Sequence, residues 1–260
     1  MSSKARERID RQEKNVERRD KMLVHNRTAD RATVEEVFDQ TTRMVLFGFL
    51  NEGKINEVHG VVSAGKEARV YWGKTKDGKE IAVKIYLTSS AEFLKGMRKY
   101  IDGDRRFKNV RHNTRSLVFA WAQKEFRNLQ EARTAGIRVP RPIAVKNNVV
   151  LMEFIGVDGV SAPTMKEQAP KNPEKVYNAL FGFIKLLYQK AELVHGDLSE
   201  YNTMIWKGRP YIFDMSQSVP TSHPLADQLL RRDLENVNRY FSRLDVRVKP
   251  VEELVKQVVV

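Results

Sequence analysis

The chain has 260 residues, 41% of them hydrophobic and 30% charged, and carries 46 Lys and Arg against 33 Asp and Glu, a formal net charge of +13. The length fits one large domain or two lobes sharing a core, and the basic balance favours contact with nucleic acid, nucleotides or acidic proteins, unless it simply coats a soluble surface. Cysteine is absent and the five histidines (His25, His59, His112, His195, His223) are scattered, which excludes disulfides, thiolate zinc sites and cysteine nucleophiles and leaves oxygen ligands for any metal.

In chain order, residues 1–31 form a charged extension with no apolar stretch. It reads as neither signal peptide nor membrane anchor, and no run approaches the roughly 18 apolar residues of a membrane span. The expectation is a cytoplasmic protein without membrane contact. Ile9, Val16 and Leu23 recur every seven residues, the thin stripe of a helix docked on the body. Residues 32–53 read as a helix capped by Thr33, burying Val37, Phe38, Thr41, Val45 and Phe49, and stopped by Gly53. Residues 57–87 give two β-runs around "SAGKEA", a hairpin at "KDG" and a third strand. Residues 95–115 are a polar loop or a broken helix. A helix from about Ser116 to Ala135 ends at Gly136. Residues 149–154 form a strand, 156–172 a loop, 173–191 a helix, 210–216 a strand, and Pro224 starts a helix running to about Leu244. The order predicts an α+β fold of two lobes: a β-rich N-lobe over 32–153 and a mainly helical, shortened C-lobe over 154–260. Ligands bind in such clefts.

Four stretches could do chemistry. In "VVSAGKEARVYWG" (61–73) a strand, a small-residue turn and a strand let backbone N–H groups approach phosphates, although an ordinary hairpin would read the same. Strand alternation in "EIAVKIYL" puts Ile81, Val83, Ile85 and Leu87 on one face and Ala82, Lys84 and Tyr86 on the other. A lysine flanked by apolar residues wants an anionic partner if buried, or else an exposed edge strand. Glu125 lies four residues from both Trp121 and Leu129, so it interrupts the apolar stripe that Leu117, Trp121, Leu129 and Ala132 make, whereas Glu131 falls on the polar side. A buried Glu125 would want a cation, and Lys84 is the candidate. Finally, "LVHGDLSEYNTMIW" (193–206) sets Asp197 and Asn202 five apart, and Asp214 follows 17 residues after Asp197 at a strand end. Aspartate can take a proton from a hydroxyl, while Asn and a second Asp offer oxygens to magnesium. His195, just before that Asp, reads as an orienting or packing residue rather than a base.

Together these resemble the protein-kinase plan of glycine-containing loop, strand lysine, helix glutamate, Asp-x-x-x-x-Asn and metal-binding Asp. The departures are systematic. "HGD" stands for H-R-D, "DMS" for D-F-G and "SAGKEARVY" for G-x-G-x-x-G, no A-P-E follows, and there is no room for a typical activation segment. "SAGKEARVY", "IAVKIY", "RKYIDGDRRF", "WAQKEFRNL", "LVHGDLSEYN" and "IFDMSQSV" resemble the RIO family of atypical serine/threonine kinases, type-1 branch, from about Thr33 to Phe241. The type-2 branch has an N-terminal winged helix, for which 32–53 is too short.

The resemblance implies a bilobal protein-kinase-like fold and ATP with Mg²⁺ or Mn²⁺ as cofactors. It makes Asp197 the acceptor of the substrate hydroxyl proton, or a transiently phosphorylated group during ATP hydrolysis. Asn202 and Asp214 would hold the metal. Lys84, paired with Glu125, would contact phosphates. Ser63, Gly65, Lys66 and Glu67 would cover the triphosphate. Met152, Glu153 and Ile155 would form the hinge, with Val70, Ala82 and Phe213 beside the base. Implied partners are a protein substrate or the chain itself, by autophosphorylation on Ser, and the maturing small ribosomal subunit. The basic residues of 95–115 (Lys95, Arg98, Lys99, Arg105, Arg106, Lys108, Arg111, Arg115) suggest a docking surface for RNA or an acidic protein, with Tyr100, Thr114 and Ser116 nearby as candidate autophosphorylation sites. Two rivals stand: a small-molecule phosphotransferase of the aminoglycoside or choline kind, and an ATPase-gated assembly factor with no protein substrate.

Overall fold

A computed structural model describes residues 39–88 and 91–260, without the side chains of 91–95. The expected stripe of Ile9, Val16 and Leu23, the Thr33 cap and the burial of Val37 and Phe38 lie outside the described residues, as does the Lys95 side chain. Helix α1 spans Gln40–Asn51. Asp39 caps it by accepting from the Thr42 N–H at 2.7 Å, and Gly53, at φ 71°, lets the chain turn away. The stripe is Thr42, Val45, Leu46, Phe47 and Phe49; Thr41 is only partly buried, because the helix faces the sheet one residue further along than the spacing suggested.

Five antiparallel strands follow: β1 (Glu57–Ala64), β2 (Ala68–Lys74), β3 (Glu80–Tyr86), β4 (Pro142–Lys146) and β5 (Val149–Glu153), in the order β1-β2-β3-β5-β4. The edge-strand alternative for Lys84 is therefore ruled out. β3 is central, and Lys84 pairs with Val70 on one side and Val150 on the other. Its alternation is as expected. Ile81, Val83 and Ile85 pack with Val45, Leu46 and Phe49 of α1, while Ala82 and Tyr86 join the core on the opposite face. β4 was not foreseen. The run read as one strand is the second arm of a hairpin that turns at Asn147, in the left-handed region at φ 51°.

Residues 95–115 are two short helical pieces followed by an irregular stretch over 108–113. Helix α2 (Ala91–Ile101) and a 3₁₀ turn (Arg105–Phe107) flank Gly103 at φ 98°, and Met97, Tyr100 and Phe107 are buried, so the broken-helix alternative holds. Burial of Tyr100 also removes it as an accessible phosphorylation site. Helix α3 (Thr114–Thr134) starts two residues early because Asn113 caps it, accepting from the Ser116 N–H at 2.9 Å.

Beyond the sheet come a minimal hairpin, β6 (Gly156–Val157) with β7 (Val160–Ser161), inside the stretch read as loop, then helix α4 (Pro173–Lys190). The hairpin β9 (Thr203–Trp206) and β10 (Arg209–Ile212) follows the short strand β8 (Leu193–Val194), which pairs with β11 (Val219–Pro220). The strand expected over 210–216 stops at Ile212. Asp214 adopts a left-handed backbone, φ 59°, opening a 3₁₀ turn over Met215–Gln217. Helix α5 (Ala226–Ser242) is slightly shorter than expected, and helix α6 (Val251–Val259) was missed; it buries Leu254, Val255 and Val258. One core runs from Ala82, Trp121 and Val150 to Leu180, Leu229 and Phe241. Among the described residues no helix is long and apolar enough to cross a membrane.

Candidate active site

β1, β2, β5 and the turns after β8 and β10 enclose a cleft of about 510 Å³. Every residue expected to meet the nucleotide or the metal lines it: Ser63, Gly65, Lys66, Glu67, Val70, Ala82, Lys84, Glu125, Met152, Glu153, Ile155, Asn202, Phe213 and Asp214. Asp197 is not on the lining but adjoins it through Asn202. Val62, Ala68, Pro140 and Met204 also line the cleft; they read in the sequence as ordinary strand and loop apolars, and only tertiary placement shows their face.

Lys84 is 8% exposed, Glu125 1%. The ammonium donates to Glu125 Oε1 at 2.6 Å and to Asp214 Oδ1 at 2.9 Å, and the Tyr86 hydroxyl donates to the other oxygen of Glu125. Burial acts to lower the Lys84 pKa, but the Asp214 and Glu125 carboxylates outweigh it and hold it well above its ordinary value. For Asp214, burial acts upward and Lys84 downward; with the Ser216 hydroxyl donating at 2.8 Å, the balance is below the usual carboxylate range. Burial raises Glu125 against the pull of Lys84. The interruption of the α3 stripe thus marked a buried ion pair, whereas Glu131 is exposed. Glu67 is raised by burial and by the Asp214 charge across the cleft.

The loop after β8 is pinned from α5. Asp233, 1% exposed, accepts the Gly196 N–H on Oδ2 and the Leu198 N–H on Oδ1, both at 2.8 Å. Arg232 donates to the Gly196 carbonyl, and Asn236 Nδ2 to the Leu198 carbonyl at 3.2 Å. Burial pushes Asp233 up to about 7. The sequence reading missed this residue although the signal was present: Asp233 lies four residues from buried Leu229 and four from buried Val237, the same interruption that exposed Glu125. His195 is buried, with Nδ1 accepting the Asp197 N–H at 3.3 Å. Burial pushes its pKa down to about 4, so the ring is neutral near pH 7, as an orienting role requires. Burial, with help from Asp214, raises Asp197 above the usual range, while Arg232 and Asn202 oppose it.

Asn202 Nδ2 donates to the Asp197 carbonyl at 2.8 Å and to its Oδ2 at 3.0 Å. The amide nitrogen is thereby spent, and the amide oxygen remains for the cleft. Lys84 and Ser216 both engage Oδ1 of Asp214, leaving Oδ2. Two hard oxygens on a nucleotide-sized cleft fit Mg²⁺ or Mn²⁺, which take few protein ligands and complete their shell with phosphate and water.

The RIO domain family model matches residues 69–254. The human serine/threonine-protein kinase RIO1 is 44% identical over 230 residues, covering 87% of this chain and 40% of that one. The RIO-type serine/threonine-protein kinase Rio1 of Haloferax volcanii is 40% identical, covering 86% and 77%, and that of Methanocaldococcus jannaschii 42%, covering 82% and 73%. The chain thus spans less than half of the human protein and about three quarters of its archaeal relatives. The Rio2 kinase of Chaetomium thermophilum, solved with ADP/Mg²⁺ and phosphoaspartate, shares the fold, with a TM-score of 0.65 at 24% identity over 82% of this chain and 65% of that one. Six ordered motifs, a family match over most of the length and archaeal relatives aligned over most of theirs agree: this chain belongs to the RIO domain family and is of the RIO1 type.

Proposed function

We propose that the chain is an atypical serine/threonine protein kinase that binds ATP with Mg²⁺ or Mn²⁺ between an N-lobe over 32–153 and a C-lobe over 154–260. The observation that carries this reading is the buried Lys84 ammonium, bridging Glu125 at 2.6 Å and Asp214 at 2.9 Å on the wall of the cleft. Such an ammonium is fixed and fully charged, which phosphate binding needs. At the far end, the Glu153 N–H is used by Arg141 and the Ile155 carbonyl by Ala162, each at 2.8 Å. The Glu153 carbonyl and Ile155 N–H remain, one acceptor and one donor, which suits the amino edge of adenine between Ala82, Val70 and Phe213. The backbone of Ser63–Glu67 covers the triphosphate.

Asn202 and Asp214 hold the metal, which supplies charge neutralisation on the phosphates. The seryl oxygen attacks the γ-phosphorus, the bond to the β–γ bridging oxygen breaks, and ADP leaves with the electron pair; Asp197 takes the hydroxyl proton. Positioning and charge stabilisation carry most of the rate. A second reading, hydrolysis, is supported by the phosphoaspartate of the Rio2 complex. There an oxygen of Asp197 attacks the γ-phosphorus, ADP leaves, and water then cleaves the aspartyl phosphate. We place the protein in the cytoplasm. Arg98, Lys99, Arg105, Lys108, Arg111 and Arg115 are exposed and form the docking surface for RNA or an acidic protein of the maturing small ribosomal subunit, without Arg106, which turns inward.

Incubation with γ-labelled ATP and Mn²⁺ tests this directly. Phosphoserine in the chain or an added protein supports the kinase reading. Labelled free phosphate alone shifts it to the ATPase switch, and labelling of an aminoglycoside but no protein overturns both.

A further inference from the structure

The turn that carries Asp214 has no long segment behind it to brace it, and Asp214 itself is a non-glycine residue in the left-handed region. Three of its carbonyls, those of Met215, Ser216 and Ser218, nevertheless accept from side chains elsewhere in the fold. Lys124, 2% exposed, donates to the Ser216 carbonyl at 2.9 Å. Asn128, fully buried, donates through Nδ2 to the Met215 carbonyl at 2.7 Å and the Ser218 carbonyl at 3.2 Å. The oxygen of Asn128 is in turn fixed by Arg106 Nη1 at 2.6 Å. Arg106 is locked in a fork on Asp104, with contacts of 2.7 to 3.0 Å, and reaches the Ser218 carbonyl at 3.4 Å. Lys124 and Glu125 are neighbours on α3, so one helix turn sends one side chain to Lys84 and the next to the Asp214 turn.

We infer that Lys124, Asn128 and Arg106 are positioning residues that hold the Asp214 turn in its metal-binding shape, and that through Arg106 the basic 95–115 segment is the third arm of this clamp. The inference rests on the reading of Asp214 as a metal ligand. None of the three is on the cleft lining, so they act on the ion only through the turn. A lysine at position 124 is otherwise hard to account for. Burial, with Arg106 close by, holds it at about 7, and its other neighbours are the rings of Trp121 and Tyr100, 4.3 and 5.8 Å away. The Asp104 and Glu125 carboxylates act on it only at a distance; a buried amine with no carboxylate bonded to it is a costly way to fill a core, whereas an apolar residue of that length would leave the Ser216 carbonyl unsatisfied.

The test is the divalent-metal dependence of binding of a fluorescent ATP analogue, measured on the whole chain for Lys124→Met, Lys124→Arg, Arg106→Gln and Asp214→Ala, with melting curves to confirm folding. Groups that orient a ligating residue typically control metal affinity by about 10–100-fold. The expected result is a rise of about tenfold in the Mn²⁺ concentration for half-maximal binding in Lys124→Met and Arg106→Gln, with metal-free binding unchanged and recovery in Lys124→Arg. If Asp214→Ala destroys the metal dependence while folded Lys124→Met and Arg106→Gln keep the wild-type midpoint, the clamp is refuted and the metal site stands. If Asp214→Ala leaves the metal dependence intact, the metal-site reading fails and the clamp falls with it.

Discussion

The two turns at the floor of the cleft are held in opposite ways. The Gly196–Leu198 loop is pinned by charged and polar groups of α5: Asp233 accepts two backbone N–H groups, and Arg232 and Asn236 donate to carbonyls. The Met215–Ser218 turn is held from the other half of the fold, by Lys124 and Asn128 of α3 and by Arg106. The loop proposed to face the acceptor oxygen is thus part of the C-terminal helices, while the turn proposed to face the metal is tied to the helix that also carries Glu125. Lys84, bonded to both Glu125 and Asp214, joins the metal turn to α3 on one side of that division. The difference teaches that the metal turn and the phosphate-binding lysine are braced from α3 and the aspartate loop from α5, with Asn202, which donates to Asp197 and accepts the Phe213 N–H, linking the two.

Breaking the Lys84 junction should cost most. Lys84→Met leaves the Glu125 carboxylate buried without its cation, and breaking a buried ion pair in this way typically costs about 3–5 kcal/mol. We expect a loss of that size in denaturant unfolding together with loss of nucleotide binding. Stability within a few tenths of a kcal/mol of wild type would separate Lys84 from the framework assigned to it.

The aspartate loop carries its own pH reporter. His195 has a native pKa of about 4, pushed down by burial from 6.5. Below pH 6.5 the unfolded chain takes up a proton that the native ring refuses, so the stability His195 contributes is complete above 6.5 and is lost as pH falls toward 4, by up to about 3 kcal/mol. Asp233 acts with the opposite sign, since its native pKa of about 7 lies above the ordinary 3.8: its contribution is full below 3.8 and fades as pH rises through 7. The wild-type curve mixes the two, so the difference from His195→Gln is the informative quantity. Melting curves of both proteins should converge between pH 6.5 and 4.5, and a gap that stays constant would remove His195 from the account.

The smallest effect on stability sharpens the contrast most. Asp233→Asn keeps the shape but cannot accept both N–H groups, and an unsatisfied buried donor costs about 1–3 kcal/mol. Phosphoryl transfer should fall with it, while the Mn²⁺ midpoint for nucleotide binding stays at the wild-type value, the reverse of the pattern expected for Lys124→Met. A shift in the midpoint would mean that the two turns are not independently braced.

Much of the site was legible because it breaks rules that the rest of the chain obeys. Lys84 sits mid-strand among apolar neighbours and Glu125 inside an apolar stripe, and each infraction marked one half of a buried pair. The spacing of Asp197, Asn202 and Asp214 then supplied the floor. Asp233 broke the same rule in α5 and could have been found the same way. The clamp was not legible. Lys124, Asn128 and Arg106 sit in charge-rich stretches where polar residues are unremarkable, and their partners are main-chain carbonyls some 90 to 110 residues away. Asp214 was placed at a strand end because local pattern continues through Phe213, whereas the left-handed step opens a turn whose partners are those distant donors. For the fold, β3 and its two faces followed from alternation, while β4 and α6 were missed because short runs owe their structure to what they pack against.

The most direct test of the central claim is phosphoryl transfer from γ-labelled ATP by Asp197→Asn, with nucleotide binding measured in parallel. Asparagine preserves the size of the side chain but cannot take up the hydroxyl proton, and loss of such a group typically costs about 10²–10⁴-fold. The account predicts wild-type binding of ATP and Mn²⁺ with transfer reduced by about that factor. Transfer at the wild-type rate in a folded Asp197→Asn protein would contradict it.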